Sequence, residues 1–294
     1  MRAIRSQRLF PELTYANDGH RALQRRLIEQ IEALAGRNRI ANLYEIWRRD
    51  VAPSGHQVFT TMLHMVGIDL RVSGTWPPQD LLDTPLVMVA NHPFGIADGI
   101  AILSLAEQLG RPFRVMIHKD LLRIPEMVPY ALPIDFSESR EAIANNLAVR
   151  QEALHLLKTG VTVVVFPAGG VATAPSGFGK ACDLEWKMFP ARLVKDAGAS
   201  VLPIHFQGQN SWMFHLASRL SMTLRLALLV PEFIRRTGKP LDARVGRIIH
   251  AREFVGNRKD VLERMRRTVF ALEGQETMAY GECATVISEE PFTA

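Results

Sequence analysis

The sequence predicts an α/β protein in which a largely parallel central sheet is flanked by helices and preceded by an N-terminal helical appendage. Three observations carry this. Up to about residue 72 apolar residues recur at helical spacing; from 85 onward short β-rich apolar runs alternate with helical segments; and two Gly/Pro loops each follow such a run directly. At 294 residues the chain has room for one large core plus an appendage. The reading divides it into a helical segment at 1–72, an α/β domain at 73–275 and a tail at 276–294.

In the first segment Leu23, Leu27, Ile31 and Leu34 make one apolar stripe, stopped by Gly36. Ile40, Leu43, Tyr44, Trp47 and Val51 make a second, ended by Pro53, and Val58, Met62, Met65 and Val66 a third, stopped by Gly67. Arginines 25, 26, 48 and 49 fall on the polar faces. After the turn-rich "SGTWPPQD" at 73–80 the texture changes. "PLVMVA" (85–90), "FRVMIH" (113–118), "LPID" (132–135), "VTVVVF" (161–166) and "SVLPIHF" (200–206) read as strands. A helix is expected from about Gly99 to Leu109. Another is expected over 138–158, with Ile143, Leu147, Leu154 and Leu157 facing the core.

The net charge of +5 favours an anionic partner, such as a membrane surface, nucleic acid or a phosphorylated ligand. Aromatic residues amount to 7%, too thin an interleaving with basic residues for nucleic acid. The two cysteines, Cys182 and Cys283, have no metal-ligand spacing, so no metal site is expected and a reducing, cytoplasmic setting fits. The basic N-terminus lacks the apolar stretch of a secretory signal. The most apolar window, 211–230, is interrupted by His215, Arg219 and Arg225, so it is expected to lie on a membrane rather than cross one.

The chemistry concentrates at strand ends, where parallel sheets bind ligands. "NHPFGIADG" follows the first strand. His92 there can serve as a general base with Asp98 fixing its tautomer, or it can bond a turn while Asp98 caps the next helix. "FPAGGV" follows the "VTVVVF" strand, and its glycines leave N–H groups free to face an oxyanion or a phosphate. It lacks the P-loop spacing, and "APSGF" lacks the frame of a nucleophile elbow. Lys119 and Arg140 follow strands on this same edge and Lys180 follows the glycine loop; each is either solvated surface or an anion contact.

These segments, over about 70–255, resemble the glycerolipid (lysophospholipid) acyltransferase superfamily. Its Asn-His…Asp block is matched by Asn91, His92 and Asp98, and its Phe-Pro-Glu-Gly block in part by Phe166, Pro167 and Gly169. The hydrophobic block with a central proline is matched by "VLPI" at 201–204, and "LPIDFSESR" ends at Arg140 as the remaining block would. Two departures stand out. Five residues, "PFGIA", separate His92 from Asp98 instead of four, and Ala168, Val171 and Ala172 replace the family's glutamate and Arg-Ser pair. Both resemble the hemolysin-like branch, which includes acyltransferases of lyso-ornithine lipids, and the lost arginine argues against a glycerol-phosphate acceptor.

The resemblance implies transfer of a fatty acyl group from a thioester of acyl-carrier protein or coenzyme A to a lysolipid hydroxyl, at the inner face of the cell membrane. His92 would be the base and Asp98 its support, with N–H groups near Gly169 and Gly170 stabilising the oxyanion. Asn91, Lys119, Arg140, Phe166, Pro167 and Lys180 would complete the substrate site, with no cofactor or metal. The competing expectations are a catalytically silent lipid-binding protein and a thioester hydrolase.

Overall fold

The computed structural model describes residues 11–16, 21–78 and 85–273; the tail expected at 276–294 lies outside them. Among the described residues seven strands form one sheet: β1 (Asp69–Gly74), β2 (Leu86–Ala90), β3 (Phe113–His118), β4 (Ala131–Ile134), β5 (Thr162–Val165), β6 (Ser200–Phe206) and β7 (Pro240–Val245). The order is β1-β7-β6-β2-β5-β3-β4, with every neighbouring pair parallel except β6 and β7. The expected largely parallel sheet is therefore present.

The central strands show why continuous apolar runs are needed. All of β2 is buried, and its residues alternate between two cores. Leu86, Met88 and Ala90 join Val164, Leu202 and Ile204 under α3 (Val58–Met65) and α4 (Ile96–Gln108). Val87 and Val89 join Val163, Val165 and Val201 on the opposite face, under α5 (Arg140–Lys158), α6 (Phe189–Ala197) and α9 (Arg258–Ala271).

Two strands were not expected from the sequence. The boundary drawn at 72/73 falls inside β1, whose "DLRVSG" is polar and mostly exposed because it is an edge strand. In β7 Leu241, Ala243 and Val245 are buried in strict alternation with exposed neighbours, a period-two signal in plain sight.

Two helices bury a different face from the one expected. In α1 (Ala22–Leu34) Leu23 is 79% exposed and Leu34 90%, while Ile28 and Glu32 are buried. Glu32 tolerates this because Thr14 Oγ1 (2.6 Å) and Tyr15 N (3.0 Å) donate to its carboxylate, with Arg37 3.5 Å away. In α5 the small residues Ala142, Val149 and Ala153 pack inward with Leu157, which leaves Ile143 and Leu147 exposed. The second and third helical stripes hold: α2 (Arg37–Ile46) and the π turn that follows place Tyr44 and Trp47 in the core, and α3 stops at Gly67.

The apolar window at 211–230 splits into α7 (Trp212–Leu220) and α8 (Met222–Arg236) at Ser221, whose backbone is extended. Among the described residues no helix is long and apolar enough to cross a membrane.

The β1 edge depends on one glycine. Gly74 has φ +90°, and a Cβ there would lie 2.2 Å from the Val245 carbonyl oxygen. Gly74→Ala is expected to lower stability by about 2 kcal/mol or more in a denaturant titration. Gly99→Ala, inside α4 with nothing within 4 Å, is expected to be neutral or to gain up to about 1 kcal/mol.

Candidate active site

The site begins where β2 leaves the core. Asn91 is buried, and its amide pins the end of β2 to the end of β6: Nδ2 donates to the Phe206 carbonyl (2.9 Å) and Oδ1 accepts from the Phe206 N–H (2.7 Å). Asn91 is thus a clamp between the two strand ends. The chain then reverses through Gly95, at φ +85°, where a Cβ would come 3.0 Å from Val171.

α4 starts at Ile96, three residues before the expected Gly99, because Asp98 sits inside the first turn rather than ahead of it. Its side chain is fully buried. Oδ2 accepts from the Phe94 N–H at 2.9 Å, and Oδ1 lies 3.2 Å from His92 Nδ1. The N-cap position is Gly95 and receives no side-chain bond, so Asp98 ties down the loop ahead of the helix instead of capping it, while its other oxygen faces the imidazole. The Nδ1–Oδ1 approach is off the line of a straight hydrogen bond, and neither atom has another partner. Bonds of this kind commonly tighten only when substrate arrives. The helix N-terminus adds its own favourable field to a carboxylate in this turn.

His92 is held on every other side. Its N–H donates to Asp183 Oδ1 (3.1 Å), its carbonyl accepts from the Ala172 N–H (2.7 Å), and its ring stacks on Phe166 with centroids 4.1 Å apart. The side chain keeps 16% exposure, and Nδ1 faces the acid, so Nε2 is the nitrogen left to exchange a proton.

Phe166 follows β5, the neighbour of β2, so the two motifs meet at one sheet edge. In the glycine loop the Gly169 N–H is already used by the Phe166 carbonyl (3.0 Å). The Gly170 N–H has no partner among the described residues, which makes it the available oxyanion donor of the two. Pro167 donates nothing, and its carbonyl takes the Lys187 N–H at 2.8 Å. Gly169, at φ +69°, lets the Phe136 ring lie 3.3 Å from where a Cβ would be; Phe136 in turn stacks on His118 (5.5 Å). The surface at the site thus continues along the ends of β5, β3 and β4.

The basic candidates separate. Lys119, at the end of β3, pairs with Asp135 (2.6 Å), whose carboxyl this partner pulls down to about 2. Arg140 is exposed at the first turn of α5. Lys180 pairs with Glu273 (2.8 Å) and lines a cavity of about 90 Å³ with Asn91, Pro93, Asp183 and His205. That cavity lies against the same loop as the site. Among the described residues no cluster of three or more His, Cys, Asp or Glu side chains is arranged to hold a metal ion.

Sequence reasoning missed Asp183 and Arg225. Asp183 bridges the His92 N–H and the Trp186 indole N–H (2.9 Å), and burial raises its carboxyl to about 6. Nothing in "CDLEW" marks it, since its partner lies 91 residues away in the chain.

A family model described as "Acyltransferase" matches residues 79–275. Two curated relatives both bear the name lyso-glycine lipid O-acyltransferase. The one from Phocaeicola vulgatus is 24% identical over 177 residues, covering 56% of this chain and 60% of the relative. The one from Bacteroides thetaiotaomicron is 26% identical over 176 residues, covering 56% and 61%. The chain thus spans about 60% of the length of the curated relatives it matches. Among solved structures, the 1-acyl-sn-glycerophosphate (LPA) acyltransferase PlsC from Thermotoga maritima aligns with a TM-score of 0.48 and 19% identity, covering 82% of this chain and 83% of that one.

The Asp183 carboxyl has a measurable consequence. Its folded value of about 6 exceeds the ordinary 3.8, so its contribution to stability is full below about pH 3.8 and is lost as pH rises through 6. Asp183→Asn does not titrate. The difference in melting temperature between it and the parent chain is expected to change across this window and to be constant above it. A difference independent of pH would place the carboxyl in solvent.

Proposed function

The chain belongs to the acyltransferase family, and from that premise we propose that it transfers a fatty acyl group from an acyl thioester to the hydroxyl of a lysolipid. The observation that carries this reading is the His92–Asp98 pair, held at 3.2 Å at the edge of a parallel sheet and stacked on Phe166.

In this mechanism the acceptor hydroxyl gives its proton to His92 Nε2 as its oxygen attacks the thioester carbonyl carbon. Asp98, facing Nδ1, orients the ring and stabilises the imidazolium that forms. The tetrahedral oxyanion accepts a hydrogen bond from the Gly170 N–H. Collapse breaks the carbon–sulfur bond, and the leaving thiolate takes the proton back from His92. The products are an ester and a free thiol, and no cofactor enters. The donor thioester is that of acyl-carrier protein or coenzyme A.

The acceptor is a lysolipid with an amino-acid head group. Val171 and Ala172 stand where a glycerol phosphate would need cations, and the two relatives named for lyso-glycine lipid favour glycine over ornithine in that head group.

The lysolipid reaches the site from a bilayer at the inner face of the cell membrane. Phe178, beyond the glycine loop, stacks on Trp212 of α7 with centroids 5.9 Å apart, and both are more than half exposed. Met213, Leu220 and Met222 are exposed on α7 and the start of α8. Such an apolar ledge on a basic protein suits a peripheral hold on anionic lipid.

His92→Ala is expected to reduce acyl transfer by at least about 10²–10⁴-fold with the fold retained, and Asp98→Asn to act in the same direction. Both are read by thioester consumption with and without lysolipid. Unchanged transfer in His92→Ala would remove the base from the mechanism, and thioester loss independent of lysolipid would make the protein a hydrolase. Replacing Phe178 and Trp212 together by serine is expected to weaken sedimentation with anionic vesicles while leaving the melting temperature within a few degrees. Undiminished sedimentation would move the membrane contact elsewhere.

A further inference from the structure

α8 carries a guanidinium that no acid among the described residues balances. Arg225 is 8% exposed, and burial alone pulls its pKa down to about 10, with no neighbouring charge contributing. Two contacts hold it, and neither is anionic. Nη2 donates to the Val171 carbonyl at 2.6 Å, and the guanidinium carbon lies 5.3 Å from the centre of the Phe214 ring. Glu232, two turns further along α8, is occupied by the N–H and hydroxyl of Ser211. His215, on α7, is fully buried, and that burial lowers its pKa, so it brings no negative charge to Arg225. Among the described residues no carboxylate pairs with Arg225.

A buried cation without a counter-ion is costly, and an anion arriving beside it would offset part of that cost. The position of Arg225 says where that anion would sit. Val171 O and Ala172 N–H belong to one peptide unit, whose oxygen takes the guanidinium and whose N–H donates to the carbonyl of His92 (2.7 Å). One peptide plane separates the cation from the main chain of the proposed base. Gly170, the proposed oxyanion donor, borders the same guanidinium: a Cβ built on it would lie 3.9 Å from Nη2. Of the five N–H donors of the guanidinium, Val171 uses one.

We infer that Arg225 is a specificity-determining residue that binds the carboxylate of the acceptor's head group. This rests on the lysolipid-acceptor reading above. A carboxylate suits the site better than a phosphate because one planar fork matches two oxygens and one charge. A dianion would call for a second cation, and Arg219, the arginine of α7, is exposed and donates to the Ser176 carbonyl.

The test compares two lyso-amino-acid lipids that differ only in a free carboxylate or its methyl ester, in acyl transfer and in equilibrium binding to detergent-solubilised protein. The parent chain is expected to favour the acid by about 10-fold or more, since a charge-assisted hydrogen bond of this kind is lost in the ester. Arg225→Gln, which keeps an N–H for Val171, is expected to abolish that preference through KM, and Arg225→Lys to retain part of it. Equal use and binding of acid and ester by the parent overturns the inference and leaves acyl transfer standing. A preference that survives in Arg225→Gln does the same, and faster use of a lysophospholipid overturns the carboxylate assignment. Acid-selective binding that depends on Arg225 without any acyl transfer upholds the site and overturns the enzymatic reading. The comparison on the parent chain needs no substitution, so it decides even if Arg225→Gln does not fold.

Discussion

The carboxylate of Asp98 does two things at once, and the rest of the site depends on both. One oxygen closes the loop after β2 by accepting from the Phe94 N–H; the other faces the His92 ring. The cap expected as one reading is not made, because α4 begins early enough to place Asp98 inside its first turn, behind the N-cap Gly95. A carboxylate has two oxygens, so the one that ties the loop leaves the other free to face the imidazole. The acid is anchored by the fold on one side, so its other oxygen meets the imidazole from a fixed direction.

Around this pair the protein spends its backbone hydrogen bonds on holding His92. Asp183 takes its N–H, the Ala172 N–H takes its carbonyl, and Phe166 covers one face of the ring. All three contacts come from the one stretch, 166–183, that follows β5, and the pairing of β5 with β2 sets it beside His92. Rigid backing and an unencumbered Nε2 are what a proton-transfer group requires. The glycine loop couples this centre to its surroundings. Its peptide unit at Val171 and Ala172 touches His92 on one side and Arg225 on the other.

Much of this was legible because it is local. Apolar runs mark β2, β5 and β6 almost to the residue, since strands buried on both faces admit little else. The order of the motifs after those runs placed His92 and Phe166 at one edge. Where a side chain's partner is distant, legibility stopped. Leu23 and Leu34 look like core residues until α1 is seen to bury Glu32 instead, held by Thr14 and Tyr15. Ile143 and Leu147 look equally apolar, yet the small face of α5 packs closer to the sheet. Asn91 reads as a substrate contact from its motif alone, and its clamp on Phe206, 115 residues away, is visible only in the fold. Lys119 and Lys180 read as solvated surface or anion contacts, and each has an acid of this chain beside it.

The sequence by itself determined the α/β class, the central strands, the proximity of the His-Asp and glycine loops, and family membership through its motifs. These follow from periodicity and from residue types that chemistry requires at short spacing. Only the tertiary structure decided which face each amphipathic helix buries, which cations keep a free charge, and that Asp183 and Arg225 attend the site. Those are questions of pairing between residues tens to hundreds of positions apart, and a hydrogen bond or an uncompensated charge leaves no period in the chain.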